Sequence, residues 1–262
     1  MLWSFDELKG YGLLATDGAL GSVHDLLFDD AHWTARWLVV DTAWLFGRRV
    51  LIAPAALGHP DADTREFPIA LTKEKIKNAP DVDADRPVNR QHETDLYSYY
   101  GYGPYWTTMD NALIGGVAGV TLPPRMPLGH PERVPSTEEA ASRAAGAQYI
   151  DEGDPHLRSA REVTGYHIRG TDDSVGSVAD FLIDEEGWVI RYLVVDTGHW
   201  LSGRKVLIAP PWVSEVSWAT QEVQVTMTRA QIEASPEYNP DTGLDRAYEE
   251  QLHGHYDRPV YW

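Results

Sequence analysis

The sequence predicts a mainly β protein with two small six-stranded β-barrels in tandem, each followed by short helices and an aromatic tail. Three observations predict this fold: an internal repeat, short β-branched runs separated by turns, and many large aromatic residues. The chain has 262 residues, with 10 Trp and 13 Tyr. Large aromatic side chains suit small barrels, in which few side chains must fill the interior.

The repeat is the strongest of these signals. After a shift of 155 residues, 17 of the 33 positions in residues 10–42 are identical. One residue is then inserted in the second copy, and residues 44–54 match residues 200–210 at 9 of 11 positions. Because Tyr105-Trp106 aligns with Tyr261-Trp262, the duplicated unit includes the aromatic tail.

Short strands are clearest in the second copy. A hairpin is predicted at residues 184–187, where Gly187 is expected to supply the positive φ of the turn. Proline cannot donate to a sheet, so Pro210-Pro211 ends the third strand. The predicted strands cover residues 177–183, 189–196, 205–208, 213–218 and 222–226.

Helices are predicted after each barrel. Thr228 is expected to cap a short helix, with Gln231 as its capping-box partner. Two further helices are predicted over residues 88–99 and 244–253. The domain prediction is a first barrel with its tail at 1–106, a linker at 107–162 and a second barrel with its tail at 163–262.

Composition excludes several classes of function. The net charge of −18 repels phosphate backbones, so direct nucleic-acid binding is not expected, whereas a basic protein surface would be attracted. The chain has no cysteine, which excludes disulfides and thiolate chemistry. No signal peptide or run of about 20 apolar residues is present, so a soluble cytoplasmic protein is expected.

The run GSVHDLLFDD from Gly21, followed by ARWLVVDT and VLIAP, resembles the PRC-barrel domain, and Gly176 begins a second copy. The resemblance covers roughly residues 8–80 and 163–236 and implies a small six-stranded barrel. The family includes the cytoplasmic domain of the photosynthetic reaction centre H subunit and the C-terminal domain of a ribosome maturation factor. It has no shared catalytic residues to transfer to this chain.

Charged residues recur at equivalent positions, and we expect structural roles for them. Carboxylates at strand ends commonly accept hydrogen bonds from turn backbones. Arg36 and Arg191 are expected to form forked pairs with aspartates, inside each barrel or across the two. The recurring aspartates are Asp25/Asp180, Asp29/Asp184 and Asp41/Asp196.

No metal or cofactor site is predicted. Residues 81–85 resemble the start of a calcium loop, but Arg86 replaces the turn glycine and His92 replaces the final glutamate. The pair His253 and His255 lacks a third ligand. A weak cation site in the acidic loop stays open as an alternative.

The aromatic tails are the candidate contact sites. Aromatic residues at this density seldom stay exposed, so we expect each tail to pack across a barrel groove and join the two repeats. The alternative is an exposed aromatic stripe that docks a partner. The candidate residues for partner or inter-barrel contacts are Tyr100, Tyr105, Trp106, Tyr256, Tyr261, Trp262, Arg36 and Arg191.

The functional prediction is a non-enzymatic binding or scaffold protein that recognises a protein partner. It rests on the observation that a whole structural unit is repeated, whereas neither copy contains a recognisable catalytic motif. One alternative is an accessory role in reaction-centre electron transfer, like that of the H subunit. Another is an enzyme or small-ligand binder that uses a groove between the barrels. Peripheral association with a membrane complex and homo-oligomer formation also stay open.

Overall fold

A computed structural model describes residues 1–42, 48–80, 90–102, 156–198 and 203–262. The chain divides into two compact units, one comprising Met1–Lys73 with His156–Trp262, and the other Glu74–Pro155. Within the larger unit we call Met1–Lys73 the first half and His156–Trp262 the second half.

The first half begins with a short strand and a one-turn helix, followed by five more strands. Pro54–Ala56 forms a 3₁₀ turn, and α3 (Arg90–Tyr100) belongs to the smaller unit. The elements are β1 (Leu2–Ser4), α1 (Phe5–Leu8), β2 (Gly12–Ala15), β3 (Gly18–Asp29), β4 (Thr34–Thr42), β5 (Arg48–Ile52) and β6 (Glu66–Pro68). Helix α2 (Lys73–Lys77) begins at the last residue of the first half and continues into the smaller unit.

The second half repeats this order with one additional strand, Val213–Ser217, and ends in a longer helix. Pro210–Trp212 and Pro240–Thr242 form 3₁₀ turns. The elements are β7 (Leu157–Ser159), α4 (Ala160–Val163), β8 (His167–Arg169), β9 (Ser174–Asp184), β10 (Val189–Asp196), β11 (Lys205–Ile208), β12 (Val213–Ser217), β13 (Glu222–Val225), α5 (Arg229–Glu233) and α6 (Arg246–His255).

The mainly β prediction is confirmed, but the described strands form one mixed sheet of 13 strands. In the second half the order is β12-β13-β8-β9-β10-β11, with only β13 and β8 parallel among these pairs. The first half follows the same plan as β6-β2-β3-β4-β5, with β2 and β6 parallel. Strands β4 and β10 pair with each other, so the sheet passes through both halves.

Several local predictions are confirmed. Strands β10 and β11 have the predicted bounds, because β-branched runs bounded by turns are a clear strand signal. Thr228 and Gln231 form the complete capping box of α5. Helix α6 begins two residues later than predicted, where the side chain of Asp245 accepts from the N–H of Tyr248 at 2.7 Å.

Two predictions need correction. The positive φ of the hairpin belongs to Trp188, at 53°, and not to Gly187. The predicted linker, residues 107–162, contains β7 and α4, which belong to the larger unit. Three-residue strands and one-turn helices are too short for a periodic pattern, so the second half begins before the predicted boundary.

Glycine is required where β3 meets the end of β4 and where β9 meets the end of β10. A Cβ on Gly21 would lie 2.0 Å from the carbonyl oxygen of Asp41. At the equivalent Gly176, with φ of 157°, it would lie 2.1 Å from the carbonyl oxygen of Asp196. The repeated glycine therefore allows an approach between strand backbones that no other residue permits.

Candidate functional site at the joint between the halves

The two halves are joined by reciprocal N-terminal arms. The first arm, Leu2–Leu8, comprises β1 and α1, and the second arm, Leu157–Val163, comprises β7 and α4. Strand β1 pairs antiparallel with β9, and β7 pairs antiparallel with β3. Each arm therefore extends the sheet of the opposite half.

One serine in each arm closes the joint. Ser4 and Ser159 each cap their own helix by accepting a backbone N–H, at 3.2 and 2.9 Å respectively. Each hydroxyl also donates to a carboxylate of the opposite half, Ser159 to Asp25 at 2.5 Å and Ser4 to Asp180. The arms are therefore fixed by side chains as well as by strand pairing.

The carboxylates of Asp25 and Asp180 are integral to this joint. Each also accepts two backbone N–H groups, one from the next residue in its strand and one from the opposite arm, at 2.7 to 3.0 Å. Burial raises the pKa of both carboxyls above the ordinary aspartate value, although the hydrogen bonds oppose that shift. The joint therefore makes both groups weaker acids than an exposed aspartate.

These pKa shifts predict that the stability contributed by Asp180 and the stability contributed by Asp184 change with pH in opposite directions. The raised pKa of Asp180 means that its contribution to stability is full below the unfolded pKa and is lost as pH rises through the folded pKa. Burial also pushes the pKa of Asp184 upwards, but hydrogen bonds from Arg191 and a backbone N–H hold it below the ordinary value. The stability that Asp184 contributes is therefore present above the unfolded pKa and lost as pH falls.

The test is urea unfolding of the wild type, Asp180→Asn and Asp184→Asn from about pH 3 to about pH 7. The free-energy advantage of the wild type over Asp180→Asn should fall with rising pH. Its advantage over Asp184→Asn should rise. Two curves that change in the same direction would refute this assignment.

Two tryptophans in left-handed turns make the backbone link between β4 and β10. Trp33 and Trp188 have φ of 54° and 53°, a conformation that bulky side chains rarely adopt. The carbonyl of Trp33 accepts from Ile190 N–H, and the carbonyl of Trp188 accepts from Ala35 N–H, both at 2.7 Å. The ring of Trp188 packs 5.9 Å from that of Phe67 in the first half. These turns therefore connect the halves through backbone and ring contacts.

A groove of about 380 Å³ lies at the joint. Its lining includes the hairpin after β3, the start of the second arm and strand β12. Asp30 accepts a hydrogen bond from His156 Nδ1 at 2.9 Å and forms an ion pair with Arg158, whose Nε lies 2.7 Å from the carboxylate, so this carboxylate ties the hairpin to the arm. The groove combines a buried tryptophan with strand backbone, which suits a peptide segment.

The expected arginine–aspartate pairs lie inside each half, and in the second half both Nε and Nη2 of Arg191 donate to Asp184. Arg36 donates to Asp29 at 2.9 Å, and Arg191 donates to Asp184 at 2.7 Å. Burial acts against ionisation of Asp29, but the hydrogen bond from Arg36 and its other donors hold the pKa below the ordinary value. The two arginines therefore stabilise hairpins within one half, and the arms connect the halves.

The second aromatic tail packs on its own half. The ring of Tyr256 lies 4.8 Å from that of Trp212. Tyr261 and Trp262 remain 48% and 43% exposed, and the guanidinium of Arg246 lies 4.6 Å from the centroid of Trp262. These partners all belong to the second half, so this tail covers its own half.

A buried carboxylate anchors the tail. Glu249 Oε1 accepts from the hydroxyls of Tyr192 and Tyr261, each at 2.9 Å. Burial, together with the hydrogen bond to Glu249, raises the pKa of Tyr261 to about 12. Nε2 of His253 lies 3.2 Å from the Tyr192 hydroxyl, and its Nδ1 donates to the carbonyl of Pro259 at 2.8 Å. The end of the chain is therefore tied to α6 and β10.

Removal of the tail should destabilise the second half. Deletion of residues 257–262 removes the part-buried hydrogen bond from Tyr261 to Glu249, the hydrogen bond from His253 to Pro259 and the ring contacts of Tyr261 and Trp262. We expect a loss of about 2 kcal/mol and a fall in Tm of about 5 °C in thermal unfolding. Trp218→Ala is the control, because this side chain is 65% exposed and its loss should leave Tm nearly unchanged. Equal effects of the two changes would contradict the anchoring role.

The remaining predicted sites lie mostly elsewhere. Tyr100 is buried within the smaller unit. Tyr105, Trp106 and the calcium-like residues 81–85 fall outside the described residues. Among the residues that are described, no three His, Asp or Glu side chains are grouped so as to hold a metal ion.

Within the described ranges, none of the helices combines the length and the apolar character needed to cross a bilayer.

Sequence reasoning missed the arms, although a signal for them was present. Ser4-Phe5-Asp6-Glu7 and Ser159-Ala160-Arg161-Glu162 both have the Ser-x-x-Glu spacing of a helix start, and they align at the same shift of 155. Their recurrence outside the compared segment pointed to a further duplicated element.

Comparison with protein families agrees with this geometry. The PRC-barrel domain family matches residues 155–232, which include the second arm and strands β7 to β13. No curated protein matches the chain. The second half of this protein therefore contains a PRC-barrel domain, at residues 155–232.

Proposed function

We propose that this protein is a non-enzymatic scaffold in which two PRC-barrel domains in tandem recognise a protein partner. The first half would be the second such domain, because it repeats the joint residues of the matched domain and its element order apart from β12. The recognition surface would lie at the joint, where both halves contribute to one groove.

The observation that supports a binding role is the use of the repeated carboxylates. Asp25 and Asp180 hold the arms, while Asp29 and Asp184 pair with arginines of their own halves. These groups are committed to contacts that hold the protein together, and a scaffold needs such rigidity to present a surface.

The negative net charge of the chain supports a basic protein as the partner. The chain carries a net charge of −18, which would accelerate association with a positively charged protein and make the rate sensitive to salt. The same field disfavours nucleic acids.

The test is affinity capture of the tagged full chain from its native host, with soluble and membrane fractions analysed separately by mass spectrometry. We expect one stoichiometric protein partner that dissociates as salt is raised. Absence of such a partner from both fractions would refute the proposal. Recovery of a photosynthetic reaction centre would instead support the H-subunit-like alternative.

A further inference from the structure

The free edge of strand β12 borders the groove at the joint. In the described sheet, β12 is the terminal strand and pairs only with β13. Residues 213–216 of β12 line the groove together with His156 and Arg158. Strand β7, which contains Arg158, pairs with β3 on one side in the described sheet. Two strand edges therefore border one groove, an arrangement suited to an added strand.

The side chains of the groove suggest the character of such a strand. Trp33 and Val216 are 8% and 9% exposed and supply apolar surface. Glu215 is an exposed carboxylate, with Gln224 Nε2 donating to it at 3.2 Å. The positive charge of Arg158 is already paired with Asp30 at 2.7 Å. The remaining charge in the groove is therefore negative, as is the charge of the whole chain.

We infer that the β12 edge binds an extended segment of a partner protein by strand addition, and that this segment alternates apolar and basic residues. The period of two in a strand would direct one set of side chains to Trp33 and Val216 and the other towards Glu215 and solvent. This inference rests on the proposed scaffold function and assigns the chemistry of its partner.

The first half supplies an internal contrast. Its chain at residues 57–61 aligns with β12 at a shift of 156, which places Pro60 opposite Val216 and His59 opposite Glu215. Proline has no N–H to offer an incoming strand, and proline at an exposed edge blocks pairing. The site therefore belongs to the second half, although the two halves share a fold.

The probe is a fluorescent ten-residue peptide of alternating Lys and Val, titrated into the full chain by anisotropy. Two control peptides have Glu in place of Lys, or carry N-methyl groups on alternate amides. The Lys-Val peptide should bind about tenfold more tightly than either control, because both charge and backbone pairing contribute. Equal binding of the N-methylated peptide would overturn strand addition.

Variants locate the site. Glu215→Lys should weaken binding about tenfold, whereas Glu250→Lys, an equal change of net charge at an exposed position of α6, should leave it within about twofold. Val216→Pro, which copies Pro60, should abolish binding. Since Val216 is nearly buried and this variant could unfold, amide hydrogen exchange of the wild type gives a second readout. Protection of residues 213–217 by the peptide is expected, and unchanged exchange there would overturn the inference.

Glu215→Lys also separates this inference from the proposed function. When it is used as bait, loss of the native partner supports the groove as the docking site. Retention of that partner would overturn the groove inference and leave the scaffold function intact.

Discussion

Phe181→Ala is expected to destabilise the protein by about 3 to 5 kcal/mol, because it opens a cavity at the centre of the joint. Phe181 and Phe28 belong to different halves, are both fully buried, and have ring centroids 5.6 Å apart. A loss of this size is a large part of the stability of a typical domain. Urea unfolding of the full chain measures it.

The same pair distinguishes a shared core from two independent cores. If the two rings share one core, the losses of unfolding free energy caused by Phe28→Ala and Phe181→Ala should differ from additivity by about 1 kcal/mol in a double-mutant cycle. Leu14→Ala serves as a control, since this side chain is 41% exposed and should contribute little. Strictly additive effects of the two phenylalanine variants would show that the rings do not share a core.

Gly176→Ala should have the second large effect. The added Cβ would lie 2.1 Å from the carbonyl oxygen of Asp196 and 2.9 Å from the Cα of Thr197, so β9 and β10 must separate. We expect a loss of about 3 kcal/mol, at the upper end for overpacking, because backbone cannot move aside as a flexible side chain can.

Gly254→Ala is the matched control for this prediction. This glycine lies in α6, and a Cβ there would have no heavy atom within 4 Å. Since alanine favours helices, the variant should be stabilised by about 0.5 to 1 kcal/mol. Thermal unfolding of both variants tests the pair, and a Gly176→Ala protein as stable as the wild type would contradict the close approach of the strands.

The sequence predicted the parts of the fold that depend on local patterns. Strands β10 and β11 are runs of β-branched and aliphatic residues between turns, and the capping box at Thr228 is a four-residue motif. Such elements are determined by residues close together in the chain.

The joint could not be predicted in this way. Pairing of β1 with β9 brings together residues about 180 positions apart, and no local pattern specifies the partner of a three-residue strand. The left-handed turn at Trp188 is also unexpected from composition, because Gly187 beside it is the residue that normally takes this conformation. Its carbonyl is needed by Ala35 of the other half, and this long-range contact outweighs the local preference.

The sequence indicated the groove only in outline. Tandem barrels imply a cleft between them, but its lining depends on the arms and on the free edge of β12. The aromatic tails were the more visible candidates, and the second tail is used to cover its own half. Residue type identified the aromatic tails as contact sites, and only the geometry showed which surface the second tail covers.

Cleavage of the chain between the halves tests the central claim most directly, namely that reciprocal arms make the two halves one folding unit. A specific protease site is introduced within residues 107–148, the chain is cut, and the products are examined by size-exclusion chromatography and urea unfolding. We expect the two fragments to co-elute and to unfold in a single transition, with Asp25→Ala or Asp180→Ala promoting their separation. Two fragments that separate and remain folded would contradict the account.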